Sequence, residues 1–344
     1  MLLRDVQRSD LKSLQKLASV LNTVNLPDDT QLLAELIDRS VRSFTEKITN
    51  PFEREYLFVL EDLQRQRVIG TSLIIAQHGT FEAPHIYYEV AEREHYSASL
   101  GLHRRHKVLS IAYNYSGPTE IGGLVVDPEF RGGVRKPGRQ LSFVRFLFIA
   151  LHRGLFREQM LAELLPPLLP DGRSLLWEAC GKKFTGLTYQ EADRLSHQNK
   201  EFIKELFPSS GIYTTLFPRK TQKVIGEVGV ETKGVQQMLT RIGFQYADRI
   251  DPFDGGPHYE AKLSELSLVK QFKSAEVLED DLTPADVDEA DRTMLVAYER
   301  AGRNRFRAVR SRVNFQGTAV QLPKETKLLL QVPFGATVGL IPFG

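Results

Sequence analysis

Apolar positions along the chain recur with two periods, one close to two residues and one close to 3.6, and these predict the elements in order. "LLRDV" is a short strand-like piece, after which Ser9 offers an N-cap to a helix carrying Leu11, Leu14, Leu17 and Ala18 at helical spacing. Leu32, Leu33, Leu36, Ile37, Val41 and Phe44 share one face of a second helix. Tyr56 to Leu60 and Val68 to Ala76 are β-rich runs joined by a polar turn, which predicts a hairpin. After a His- and Tyr-rich segment, "TEIGGLVVDPEF" supplies a strand ended by Asp127-Pro128, and "GRQLSFVRFLFIALHRGLF" a strongly apolar helix. "VQQMLTRIGFQYADRI" predicts an amphipathic helix stopped by Gly243, with a strand from Phe244. "RFRAVRSRVNF", "TAVQLP", "KLLLQVP" and "TVGLIPFG" are short strand candidates separated by Gly and Pro. The expected organisation is a main domain over 1–268, an acidic linker over 269–291 and a small β-rich module over 292–344.

Composition narrows this picture. The 344 residues are 42% hydrophobic and 26% charged, as in soluble globular proteins. No apolar run reaches the roughly 18 residues that span a bilayer, and the charged start "MLLRDVQRSDLKSL" is unlike a secretory signal, so a cytoplasmic protein is expected. The single Cys180 excludes an intrachain disulfide and a Cys-rich metal site, and it reads as a buried small residue. A net charge of +2 from 45 basic and 43 acidic residues gives no overall polyanion signal. Locally the charge is uneven: eight carboxylates fall within 276–291, and six arginines follow in "RAGRNRFRAVRSR".

The candidate chemistry centres on "RGGVRKPGRQLS", residues 131 to 142, between a strand and a helix. A Gly-rich turn at a helix N-terminus can aim several backbone N–H groups and the helix dipole at one anion, and a pyrophosphate fits such a cradle. Arg131, Arg135, Lys136 and Arg139 add charge, and Gly132, Gly133 and Gly138 allow close backbone approach. A solvated basic loop is the plainer alternative. The loop lacks the G-K-[ST] of a P-loop and the G-x-G-x-x-G of a dinucleotide fold, which argues against a nucleoside triphosphate or a dinucleotide.

The order of elements resembles the GNAT acyltransferase core, an α+β fold with a mixed, mostly antiparallel sheet flanked by helices. More specifically, the whole chain is similar to the arginine N-succinyltransferase family. The similarity rests on "LLRDVQRSDLKSLQKLAS", "YLFVLED", "EIGGLVVDPEFR", "LWEACGKKF", "FIKELFPSSGIYTTL", "VIGEV", "IGF" and "DPFDGGPHYEA", and continues through "FRAVRSRV" and "FGATVGLIPF". The resemblance implies succinyl transfer from succinyl-CoA, a co-substrate and not a tightly bound cofactor, to the α-amine of arginine. It places the pantetheine arm along Leu124, Val125 and Val126, and the phosphates on Arg131 to Arg139. It also implies oligomers, either of this chain alone or with a homologous subunit. Two departures stand out. "VIGEVGVET" has Gly229 where the family carries its proton-donating histidine, and "AYNYSGPTE" has Asn114, Tyr115 and Ser116 in place of Asp-His-Thr.

Acyl transfer from a thioester needs a neutral amine, donors for the oxyanion and an acid for the thiolate. A bulge at Gly122-Gly123 would turn an N–H toward a ligand, with a merely loosened strand entry as the alternative. His258 is the first candidate to replace the missing imidazole, with Tyr115 and Tyr213 behind it and His85 also considered. Asn114, Glu120 and Asp254 are expected to face a cationic amine substrate. His95, His103 and His106 have no carboxylate or Cys partner at helical spacing, so they read as part of an exposed cationic turn, and no metal ion is expected. Two other functions stay open: a non-catalytic homologous subunit, and a nucleic-acid-binding protein using Arg303, Arg305 and Arg307 as a strand-face stripe. Near-neutral total charge and the absence of an aromatic platform argue against the second.

Overall fold

The computed structural model describes residues 1–21, 26, 29–81, 83–196, 199–283, 292–300 and 305–344. β1 (Leu2–Asp5) leads through a 3-10 turn to α1 (Leu11–Leu21), and α2 (Thr30–Phe44) precedes the hairpin β2 (Glu55–Asp62) and β3 (Arg67–Ile75). A second hairpin, β4 (His85–Ser97) and β5 (Leu102–Asn114), is followed by β6 (Thr119–Val126), α3 (Pro137–Leu151) and β7 (Gln159–Glu163). Short helices between 175 and 206 lead to β8 (Ile212–Tyr213), and a helix at Lys233–Ile242 to β9 (Gln245–Ile250) and β10 (Pro257–Lys262). The chain closes with β11 (Lys273–Asp281), β12 (Arg292–Glu299), β13 (Phe306–Gln316), β14 (Ala319–Leu322), a helix at Lys324–Leu330 and β15 (Thr337–Pro342). This is a mixed α+β architecture. Among the described residues no helix is long and apolar enough to cross a membrane.

Two compact units are built from interleaved segments: Met1–Gln77, Ile121–Glu158 and Leu263–Gly344 form the first, and His78–Glu120 with Gln159–Lys262 the second. The division therefore differs from the consecutive arrangement expected from sequence. In the first unit β1, β2 and β3 pair in antiparallel order, and β1 also pairs with β13. β11 to β15 close on themselves, because β12 pairs with both β15 and β13. Closure removes open sheet edges, which suits a small β module. Lys273–Asp281, read as linker for its acidity, is strand β11: Ala275 and Val277 point inward while Lys273, Ser274 and Glu276 stay exposed. "KLLLQVP", read as a strand, is mostly helix, with Thr326 and Leu330 buried one turn apart.

The first unit's core centres on α3, whose Phe148 meets Phe44, Tyr56, Phe58 and Phe306 at ring-centroid distances of 4.8–5.4 Å. α3 approaches β3 closely at Gly70, where a Cβ would stand 2.5 Å from the Val125 carbonyl oxygen and 2.6 Å from Leu141 Cδ1. The N-terminal turn is capped by Gln7 and Asp10 and not by Ser9: the Gln7 N–H donates to Asp10 Oδ2 at 2.8 Å, and Arg4 grips the same carboxylate at 2.7 and 2.9 Å. In the second unit Trp177 stacks on Phe253 at 5.2 Å, and Cys180 is buried in the same cluster, as expected.

The His- and Tyr-rich segment that showed no element in the sequence forms the β4–β5 hairpin, paired in unbroken register from His85↔Asn114 to Ser97↔Leu102. Beyond Val90 its residues are largely exposed on both faces, so the period-2 hydrophobic signal is absent there. His103 lies in this hairpin rather than in a turn, and donor and acceptor meet across the strands at 3.2 Å from His103 Nε2 to Glu94 Oε2.

Two outcomes follow for this framework. Gly70→Ala should destabilise the protein by about 1–3 kcal/mol through overpacking, while Gly154→Ala, with open space around the added methyl, should leave the urea midpoint unchanged. Asp5 is buried with Oδ1 unpartnered, and burial pushes its carboxyl up to about 6 against the pull of Arg4. The folded state therefore holds this proton more tightly than the unfolded chain, and its contribution is lost as pH rises from about 4 to 6. Urea unfolding across that range should show Asp5→Asn gaining on wild type by up to about 1.4 kcal/mol per pH unit; parallel curves would remove the assignment.

Candidate functional site

β6 is not a regular strand. Gly123 has φ +56, and a Cβ there would meet Leu73 Cβ at 2.8 Å, so only glycine fits both the backbone and the space. Side chains take up the carbonyls at this break. The Thr71 hydroxyl donates to the Gly123 oxygen at 3.0 Å, and Arg145 Nη1 donates to that of Gly122 at 3.1 Å. Arg145 is 2% exposed, and Ser142 also holds it, through its carbonyl (3.2 Å) and hydroxyl (2.9 Å). The parallel register of β6 with β7 comprises Thr119↔Met160 and Glu120↔Leu161. Along β6, Val125 points into the core, while Leu124 and Val126 are half-buried on the opposite face.

The basic loop follows directly. A 3-10 turn at Pro128–Phe130 is capped by Asp127, Gly132 sits at φ +74, and Lys136, in left-handed conformation, precedes Pro137 at the start of α3. Gly133 and Gly138 have room for a Cβ, so their spacing is not forced by packing. Arg131 Nε donates to the Val126 carbonyl at 3.1 Å, and Arg139 Nη1 to that of Phe343 at 3.2 Å, with its guanidinium over Phe143 and Phe343. These two cations are thus partly committed to the protein, while Arg135 and Lys136 are exposed. The arginines proposed as a nucleic-acid stripe are also engaged: Arg305 bonds the Phe44 carbonyl and Glu46, and Arg307 the Leu329 carbonyl. Arg303 lies outside the described residues.

In the second unit, three histidines and several carboxylates converge. His258 on β10 is the cross-strand partner of Glu163 on β7, which places their side chains together. His258 Nε2 stands 3.4 Å from Glu163 Oε1, and His85 Nε2 3.1 Å from the same oxygen. The His85 and His258 rings stack at 5.4 Å and 18°. His78 is held by backbone bonds to Gly117 and Pro118, and its Nε2 pairs with Glu120. Nearby, Asp251 Oδ1 accepts from the N–H groups of Phe253 and Asp254 at 2.7 and 3.0 Å, and Asp254 Oδ1 from that of Gly256 at 2.7 Å.

Burial and neighbours set the charge states in this cluster. Burial pushes His258 down to about 4. Burial works against the charged form of His78 too, but Glu120 outweighs it and raises the imidazole above its ordinary value. Glu163 resists its burial and is held low by His258 and His85. Burial and then Glu163 push Asp251 up to about 7; burial and then Asp251 raise Asp254. Such divergent environments for like groups are typical of functional sites.

Of the side chains singled out from sequence, the structure brings together His258, His85, Glu120 and Asp254, with Asn114 opposite His85 in the hairpin. Tyr115 is separate and exposed, against Phe81 at 5.9 Å. Tyr213 is also elsewhere, its hydroxyl 3.4 Å from His95 Nε2. Glu163, His78 and Asp251 were missed. Glu163 left a trace as an acid in the otherwise apolar run "MLAELL", and Asp251 opens the quoted stretch "DPFDGGPHYEA".

The family model for the arginine N-succinyltransferase beta subunit matches residues 1–268. The chain belongs to the arginine N-succinyltransferase family. It is 32% identical to arginine N-succinyltransferase of Yersinia pestis (strain Pestoides F) over 99% of this chain and 97% of that one. It is 33% identical to the Photorhabdus laumondii enzyme over 83% of this chain and 85% of the relative. Arginine/ornithine succinyltransferase subunit AI from Pseudomonas aeruginosa superposes with a TM-score of 0.82 at 29% identity, over 100% of this chain and 98% of that structure.

Gly229 is closely enclosed by backbone, which gives a steric reason for a glycine there. Its N–H donates to the Leu165 carbonyl at 2.9 Å, and a Cβ would stand 2.9 Å from the Pro166 oxygen and 3.1 Å from that of Leu165. Both obstacles are backbone. Gly229→His should therefore lower stability by about 1–3 kcal/mol, read as a reduced denaturation midpoint; an unchanged midpoint would show that the 165–166 segment yields freely.

Proposed function

We propose that this chain is a CoA-dependent N-acyltransferase with a GNAT-like core, moving succinyl from succinyl-CoA to the α-amine of arginine. The observation that carries the proposal is the glycine break in β6, running directly into the cationic turn at the start of α3. A strand interrupted in this way supports pairing of Leu124 to Val126 with the amide-rich pantetheine arm, and Gly132, Arg135, Lys136 and the first turn of α3 support binding of the diphosphate. The second unit supplies acidic groups to face a cationic amino acid, among them Glu120 and Asp254; a nearby cation favours the ionised form of Asp254 that burial and Asp251 otherwise oppose. We assign preparation of the amine to the His258 cluster.

The reaction forms one C–N bond and breaks one C–S bond. Arginine's ammonium gives up a proton before attack, the amide nitrogen loses a second as the tetrahedral intermediate collapses, and the departing thiolate takes one. Because a thiol's pKa is low, about 8.5, loss of a general acid costs roughly 10²–10⁴-fold and does not abolish transfer. A non-catalytic subunit is the second reading, favoured by the backbone crowding that any side chain's Cβ would meet at Gly229.

Thiol release measured with succinyl-CoA or acetyl-CoA, each with arginine, ornithine or no acceptor, separates the two. Release confined to succinyl-CoA with arginine is expected; CoA binding without release under any condition would establish the subunit reading instead. The double variant Arg135→Ala/Lys136→Ala should raise KM for succinyl-CoA about tenfold or more, since each charge-assisted bond contributes roughly 1.5–3 kcal/mol, with KM for arginine little changed.

A further inference from the structure

The most unusual polar groups among the described residues are the two ring nitrogens of His258. The side chain is 0% exposed, and neither Nδ1 nor Nε2 has a hydrogen-bond partner. An imidazole buried in this state leaves two polar atoms unsatisfied, which ordinarily costs about 1–3 kcal/mol for each group. Nε2 points into a cluster with two further donors. The Nε2 atoms of His85 and His258 converge on one carboxylate oxygen of Glu163, at 3.1 and 3.4 Å, and the three potential ligand atoms all lie within 4.8 Å of one another.

We propose that His85, Glu163 and His258 bind one divalent transition-metal ion of the zinc type. Bonds of about 2.0–2.2 Å at tetrahedral angles put neighbouring ligand atoms roughly 3.3–3.5 Å apart, close to the two nitrogen–oxygen separations observed. Two imidazoles and one carboxylate are a donor set suited to zinc. The His258–Glu163 cross-strand register and the stacking of His85 on His258 hold the donors on a packed framework. Three protein ligands leave a position open for water or for a substrate carboxylate oxygen, as in catalytic and not structural zinc sites. This replaces the expectation, formed from the spacing of His95, His103 and His106, that the chain holds no metal. The site is in the cluster to which the acyltransfer reading assigns the amine, and in that sense the inference rests on that reading, but its test does not depend on turnover.

Chelator-treated full-length protein would be titrated with Zn²⁺ against a chromophoric competitor, and with Co²⁺ while recording the visible ligand-field bands. One equivalent bound is expected, with Co²⁺ absorption of four- or five-coordinate intensity. His85→Gln, His258→Gln and Glu163→Gln should each weaken Zn²⁺ binding by about 100-fold, while His95→Gln should leave it unchanged. Should a variant fail to fold, X-ray absorption of the zinc-loaded wild type decides, with two imidazoles expected in the coordination shell. No stoichiometric binding, binding that survives all three substitutions, or a shell with fewer than two imidazoles would overturn the site. Arginine-dependent thiol release from metal-free protein would leave the acyltransfer reading standing, whatever the titration gives.

Discussion

The first unit depends on a buried guanidinium meeting a broken strand. Arg145 projects from α3, a helix with eleven of its fifteen residues buried, and bonds the carbonyl of Gly122 just before the left-handed Gly123. A charge taken this far from water must be satisfied locally, and the Ser142 hydroxyl, the Ser142 carbonyl and the Gly122 carbonyl do so. The same bond occupies a carbonyl that the strand's distortion would otherwise strand. Helix and break therefore stabilise each other, and the basic turn between them inherits a defined entry at Asp127 and exit at Pro137.

The second unit works by convergence and not by a local motif. Its cluster draws His78 from the loop after β3, His85 from the start of β4, Glu120 from β6, Glu163 from β7, and Asp251, Asp254 and His258 from the β9–β10 region. Strand register does the assembly, since His258↔Glu163 and His85↔Asn114 are both cross-strand pairs. The result is several ionisable groups pushed in opposite directions within one small volume. In the same unit Gly229 is pressed against the Leu165 and Pro166 carbonyls.

Much of this was legible in the residues themselves. The Gly122-Gly123 pair, the Asp127-Pro128 stop and the cationic turn are local signals, and the structure has the strand, the break and the helix where they predict them. Gly243 ends its helix at φ 122 for the same reason. The β4–β5 hairpin was not legible because charged side chains solvate both faces of its outer half, and β11 was obscured because only Ala275 and Val277 are buried in a run that carries Glu276 and ends in three acids. "KLLLQVP" misled because a short apolar run fits either period. The cluster around His258 could not be read because register across strands distant in sequence leaves no spacing pattern. Glu163 is 95 residues from its partner by number and adjacent to it in the sheet.

The central claim is that the Arg145-pinned break and the turn behind it form the acyl carrier's seat. Backbone hydrogen exchange with and without saturating CoA tests it most directly. Slower exchange concentrated in 121–139, with β12 to β15 unaffected, is the predicted outcome; saturable CoA binding that leaves 121–139 unchanged and protects another segment would contradict it.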